Sequence, residues 1–118
     1  MSSNIVLDKS FAFALRTVKL YQYLCEEKRE FVLSKQLLTA GTYIGKHVKE
    51  ANAAESKTGF TQEMSVALRK ASETEYWLEL LHKAEFLSDK QFESMNRDRD
   101  EIFRMLTKIV KTSKNPAG

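Results

Sequence analysis

Cys25, His47 and His82 are the side chains of this sequence best suited to act as a nucleophile, base or metal ligand, and their spacing assembles no such centre. Nucleophilic catalysis needs a nucleophile, a base and an orienting group within hydrogen-bond reach of one another. The acids scattered around these three do not complete that set. Cys25 falls on an apolar helical stripe and reads as a small core hydrophobe. Glu79-Leu80-Leu81-His82 places a carboxylate and an imidazole on one helix face, as in the di-iron sites of helix bundles. Such a site needs a second copy and two further glutamates, whereas the only near match, His47-Val48-Lys49-Glu50, runs in reverse. Both pairs fall away from the inner seams described below and read as solvated surface residues. Gly41-Thr42-Tyr43-Ile44-Gly45-Lys46 is one residue short of a phosphate loop and continues with His47 in place of Ser or Thr, so its glycines read as small packing residues within a helix. The sequence therefore predicts no catalytic residue, no metal site and no cofactor.

The basic residues are better ordered. Lys90, Arg97, Arg104 and Lys111 recur every seven residues, with Lys108 beside them. If Phe92 and Arg99 occupy heptad position a, all four fall at f, opposite the core. A ladder of this kind suits phosphate contacts with strong salt dependence and little base readout. It is equally the ordinary solvated face of a bundle, and Asp98, Asp100 and Glu101 dilute its field. Tyr76 and Trp77 lie beside or outside their helix's seam, where large aromatics more often anchor an interface than stand alone.

These residues must be carried by helices. The 118 residues suit one domain spanning 1–118, and with 30% charged residues, four Gly and one Pro there are few breakers for a chain of short strands. One cysteine excludes an internal disulfide framework, and the first ten residues lack the apolar stretch of a signal peptide, so a cytoplasmic location is expected. No charge-free apolar run reaches about 18 residues, which argues against a membrane span. The net charge of +3 decides little alone, but its distribution is uneven. From Arg104 onward there are four basic residues and no acids, while residues 59–87 carry three basic against five acidic.

The first predicted helix covers about 8–28, with Phe11, Ala14, Val18, Tyr21 and Cys25 on its inner face. Phe13, Leu20, Tyr23 and Leu24 then form a second, outward apolar surface, for which self-association is the natural cover. The second helix is expected over about 35–55, capped by Ser34, with Leu37, Gly41, Ile44, Val48 and Ala51 as its seam. The third starts after Thr58 and reaches about Phe86 through Phe60, Met64, Ala67, Ala71, Thr74, Leu78 and Leu81. Ser88-Asp89-Lys90-Gln91 matches a capping box, with Leu87 and Phe92 as the hydrophobic staple. It opens a fourth helix whose inner line is Phe92, Met95, Arg99, Ile102, Leu106 and Ile109, interrupted in polarity only by Arg99. Pro116 and Gly118 should end it, and flexible ends are expected at about 1–7 and 112–118. Short links between long amphipathic helices make an all-α, antiparallel up-down-up-down four-helix bundle the simplest architecture.

Three segments carry a family resemblance: Leu37 to Gly45 (LLTAGTYIG) continuing to Val48-Lys49-Glu50-Ala51; Lys57-Thr58-Gly59-Phe60; and Ala67 to Leu81 (ALRKASETEYWLELL) with Phe86-Leu87. Together they resemble the bacterial 23S rRNA intervening-sequence proteins, with coverage to about Leu87 and a freer last helix. The resemblance implies a left-handed bundle and, by likeness to the accessory variability proteins of diversity-generating retroelements, a homopentamer that binds nucleic acid without catalysis. It also implies that Glu50 and Glu75 are structural or subunit-contact acids. The family usually has Asn where this chain has His47.

The resulting expectation is a non-enzymatic, homo-oligomeric protein that binds RNA or DNA through Lys46, Lys49, Arg97, Arg104, Lys108 and Lys111. Phe13, Leu20, Leu24, Glu50, Glu75, Tyr76 and Trp77 would lie at subunit interfaces. The rival reading is a protein-interaction scaffold without a nucleic-acid partner, in which Tyr76, Trp77 and the first helix capture a protein.

Overall fold

Four helices, α1 (Ser2–Glu26), α2 (Leu33–Asn52), α3 (Lys57–Lys83) and α4 (Asp89–Lys114), make up the chain in a computed structural model. It describes residues 2–115, with side chains from Ile5 onward. The expected helix break at Pro116 and Gly118 lies outside the described residues. The capping box is present: Gln91 N–H donates to Ser88 Oγ at 3.1 Å and Ser88 N–H donates to Gln91 Oε1 at 2.9 Å. Ser56 caps α3 by accepting from the Gly59 N–H at 3.0 Å. That helix stops at Lys83 and not near Phe86, because Glu85 adopts φ 69° and turns the Phe86 N–H back to the Leu81 carbonyl at 2.9 Å. A left-handed residue at this point satisfies a terminal carbonyl and ends the helix.

The start of α2 differs from expectation. Ser34 lies inside the helix, fully buried, and the cap is Glu30, whose carboxylate accepts from the N–H groups of Val32, Leu33 and Ser34 at 3.1, 2.9 and 2.6 Å. Ser34 Oγ in turn donates to the Glu30 carbonyl at 2.7 Å. Burial pushes the Glu30 carboxyl up, but the three backbone bonds outweigh it and hold the group below the usual carboxylate range. A group depressed in this way contributes stability above its unfolded value near about 4.3 and loses it as pH falls through the folded value. Glu30→Ala should therefore cost about 1–2 kcal/mol at neutral pH, the scale of a lost helix cap. Urea unfolding at pH 7 and below pH 4 checks this: the gap between wild type and variant should narrow in acid, and a pH-independent gap would contradict the assignment.

Each helix packs antiparallel to the one before it, as the pairings across each seam show. Thr17 and Ser10 of α1 lie against Gly41 and Gly45 of α2, and His47 of α2 reaches Glu63 of α3. Along α3 and α4, Thr61 hydrogen-bonds Ser113, Arg99 bonds the Ala71 carbonyl, and His82 stacks on Phe92. Ion pairs Lys9–Glu101 and Arg16–Asp98 close α4 onto α1 at 3.2 and 2.6 Å. Among the described residues α2 and α4 are diagonal and make no backbone approach, as are α1 and α3. The rod measures 49 × 21 × 20 Å.

The predicted seams of α2, α3 and α4 are the observed core. Only Phe60, Phe92 and Ile109 sit at its edge, with Val110 taking the inward place at the end of α4. The stripes of α1 are exchanged. Val6, Phe13, Leu20 and Leu24 are buried, with Ser10 and Thr17 between them, whereas Phe11, Leu15 and Val18 face outward. The inner stripe contains two hydroxyls because they are satisfied locally, Ser10 by the Leu7 carbonyl at 3.1 Å and Thr17 by that of Phe13 at 2.8 Å. Their small size lets α1 meet the two glycines of α2. A methyl at Gly41 would stand 2.7 Å from Thr17 Cγ2, so the approach needs glycine there. The first turns of α1 are helical from Ser2 and Val6 is fully buried, so the expected flexible start gives way to core, and α4 likewise continues through Lys114.

Candidate nucleic-acid and assembly interfaces

The heptad ladder of α4 forms an outward ridge, with Lys90, Arg97, Arg104, Lys108 and Lys111 all exposed. Two of the three acids that interrupt it in sequence are engaged elsewhere, and the third holds one of its cations. Asp98 pairs with Arg16 and Glu101 with Lys9, both on α1, while Asp100 meets Arg104 at 2.7 Å and Arg99 at 3.6 Å. Arg97, Lys108 and Lys111 carry no ion pair among the described residues. A shallow groove of about 480 Å³ runs past Arg97, Arg104 and Lys108.

Lys46 and Lys49 are also exposed, but they belong to α2, the diagonal partner of α4. One chain therefore does not merge the two predicted basic groups; they occupy opposite flanks of the rod. On its own flank Lys46 sits over the Tyr43 ring at 5.4 Å and Lys70 of α3 over the same ring at 5.9 Å, a cation–π arrangement at a partly exposed aromatic.

Of the expected assembly residues, Phe13 (1% exposed), Leu20 and Leu24 are core and hold α1 to its own bundle. They cannot meet a second chain. The surface they were expected to form exists on the other stripe, where Phe11 is 63%, Leu15 51% and Val18 37% exposed. Tyr76 is 57% exposed and meets Trp77 edge-on at 5.0 Å. Trp77 itself packs against the core, and its indole N–H is buried without a hydrogen-bond partner among the described residues. Glu50 is exposed. Glu75 has an internal role: it pairs at 3.3 Å with Arg99, whose buried guanidinium also donates to Asn96 at 2.7 Å and to the Ala71 carbonyl. The polar interruption in the inner line of α4 is thus a bridge to α3.

The two histidines are half-buried and tied to acids outside their sequence motifs. His47 meets Glu63 at 2.8 Å and His82 meets Asp89 at 2.7 Å, so neither is the free surface residue expected from sequence. Among the described residues no three His, Cys, Asp or Glu side chains converge as metal ligands. Cys25 is half-buried, with Sγ 3.9 Å from Ser34 Oγ. No helix is long and apolar enough to cross a membrane.

Two cations of α3, Lys57 and Arg69, stand outside the candidates read from sequence, and they line one groove with Lys114 of the basic last helix. Their signal was hidden by averaging charge along α3. Residues 69 and 70 are adjacent in sequence, yet a helix turns about 100° per residue, and Arg69 lines the α3–α4 groove while Lys70 lies over Tyr43 of α2.

The fold and surface define a class of proteins, four-helix bundles that carry sorted charge on their outer faces. Within that class the chain belongs to the 23S rRNA-intervening sequence protein family, whose model matches residues 2–108. It is also similar to a solved crystal structure, described as a protein with unknown function from the S23 ribosomal protein family of Bacteroides thetaiotaomicron VPI-5482. The TM-score is 0.92 and the identity 48%, over 94% of this chain and 99% of that one. No curated protein matches the chain.

Proposed function

We propose that the chain is a non-enzymatic, homo-oligomeric nucleic-acid-binding protein of the cytoplasm, with RNA as its ligand. Five copies is the stoichiometry expected from the likeness to the accessory variability proteins. The observation that carries this reading is charge sorting: Asp98 and Glu101 are spent on α1, which leaves Arg97, Lys108 and Lys111 exposed and unpaired on one ridge. Unpaired surface cations bind phosphates by releasing condensed counterions, a mechanism that needs no base contact. Three such contacts on one chain are weak. Copies joined through the outward stripe of α1 present several ridges together, and effective affinity rises without a better single contact.

The test is fluorescence anisotropy of a labelled structured RNA titrated with protein at several salt concentrations. Three ridge contacts by themselves predict a log–log slope near −2, so affinity should fall at least roughly ten- to thirtyfold between about 50 and 200 mM salt, and more steeply with further contacts or in an assembly. No binding at low salt and micromolar protein rejects the reading. Native-lysate partners that survive nuclease treatment would favour the scaffold in its place.

A further inference from the structure

The ridge on α4 is not the most coherent positive feature of the molecule. An open groove of about 680 Å³ lies between the first half of α3 and the last turn of α4. Its walls hold three cations, Lys57, Arg69 and Lys114, together with the polar side chains of Thr58, Gln62 and Ser65. Among the described residues no carboxylate lines it, and no aromatic ring does either. The chain has 16 acids among 118 residues, so an acid-free lining with three cations from two helices is a marked local excess. None of the three cations is in an ion pair among the described residues.

We infer that this groove seats the sugar–phosphate backbone of an RNA strand and is a second phosphate-contact site of each subunit beside the α4 ridge, an inference that rests on the proposed RNA binding. Lys and Arg supply charge, while hydroxyls and an amide supply donors to phosphate oxygens, which is the mixed set used for backbone contacts. The missing aromatic matters as much. Without a ring on which a base can stack, the groove reads the backbone and is indifferent to sequence. Lys57 and Arg69 are twelve positions apart on one helix, about 18 Å at 1.5 Å per residue.

The experiment compares three proteins in the same RNA titration: wild type, a groove variant (Lys57→Gln, Arg69→Gln, Lys114→Gln), and a charge-matched control (Lys19→Gln, Lys28→Gln, Lys83→Gln) altered at exposed lysines away from the groove. The groove variant should flatten the log–log salt slope by about 2, from roughly 0.7 per lost contact on a single strand, and the control should leave it nearly unchanged. Equal losses in the two triple variants would overturn the groove while leaving RNA binding intact. Wild type that fails to bind would overturn both readings. A measurement without substitutions supports the same decision: bound RNA should shield Lys57 and Lys114 of the wild-type protein from amine acetylation more than Lys19 and Lys83, and uniform shielding would contradict the assignment.

Discussion

Phe13→Ala is expected to lower stability by about 3–5 kcal/mol, the range for removing a buried aromatic ring. Phe11→Ala, two residues away, should change the stability of the isolated chain by no more than about 0.5 kcal/mol. The contrast follows from 1% against 63% exposure of two identical side chains on one helix. Phe13 belongs to one continuous core cluster of the bundle, so its loss leaves a cavity that neighbouring side chains fill only in part. Phe11 fills no space in its own bundle. Urea denaturation at a protein concentration low enough to suppress association measures both. Similar losses for the two variants would mean that the stripes of α1 are not sorted as described.

The second large effect concerns association. Replacing the outward pair as Phe11→Gln, Leu15→Gln removes two large apolar groups without changing net charge or touching the ridge. The variant should remain folded and become monomeric, and its RNA affinity at fixed salt should fall by on the order of 10²-fold, the lower end of what linking several weak sites supplies. The reason lies in what α1 exposes: Phe11, Leu15 and Val18 form a stripe facing away from the bundle. A contiguous apolar stripe in water is a surface that another molecule covers. An unaltered RNA affinity in a demonstrably monomeric variant would separate binding from assembly and remove the pooling of charge from the account.

Most of the fold was legible from period and capping. Leu37, Ile44, Val48, Met64, Ala67, Leu78, Ile102 and Leu106 recur at three- and four-residue steps and are all buried, and the box at Ser88–Gln91 marked the start of α4 to the residue. The first helix was misread for a specific reason. Its true inner stripe is interrupted by Ser10 and Thr17, and its outer stripe is more continuously apolar, so hydrophobicity alone favours the wrong face. What selects the polar-looking face is the glycine pair on α2, a requirement of close helix approach that becomes visible only once the partner is in place. Glu30 was hidden in a charged stretch that reads as a solvated break, because the bonds that bury it come from backbone folded back on it three and four residues later. The interface was legible in part. The α4 ladder could be read from its seven-residue repeat, whereas the diversion of Asp98 onto α1 could not, since Arg16 and Asp98 are 82 residues apart. The α3–α4 groove had no signal of its own in a helix whose acids and bases balance, four against four.

Underlying these expectations is one physical claim, that α1 leaves exposed an apolar stripe which other copies cover, bringing their cationic surfaces together. Light scattering of the purified wild-type protein, followed through dilution, tests it most directly. The wild-type protein should scatter as a species whose mass is a multiple of 13.6 kDa, persisting into the low micromolar range and lost in the Phe11→Gln, Leu15→Gln variant. A folded wild-type protein that stays at 13.6 kDa throughout would contradict it.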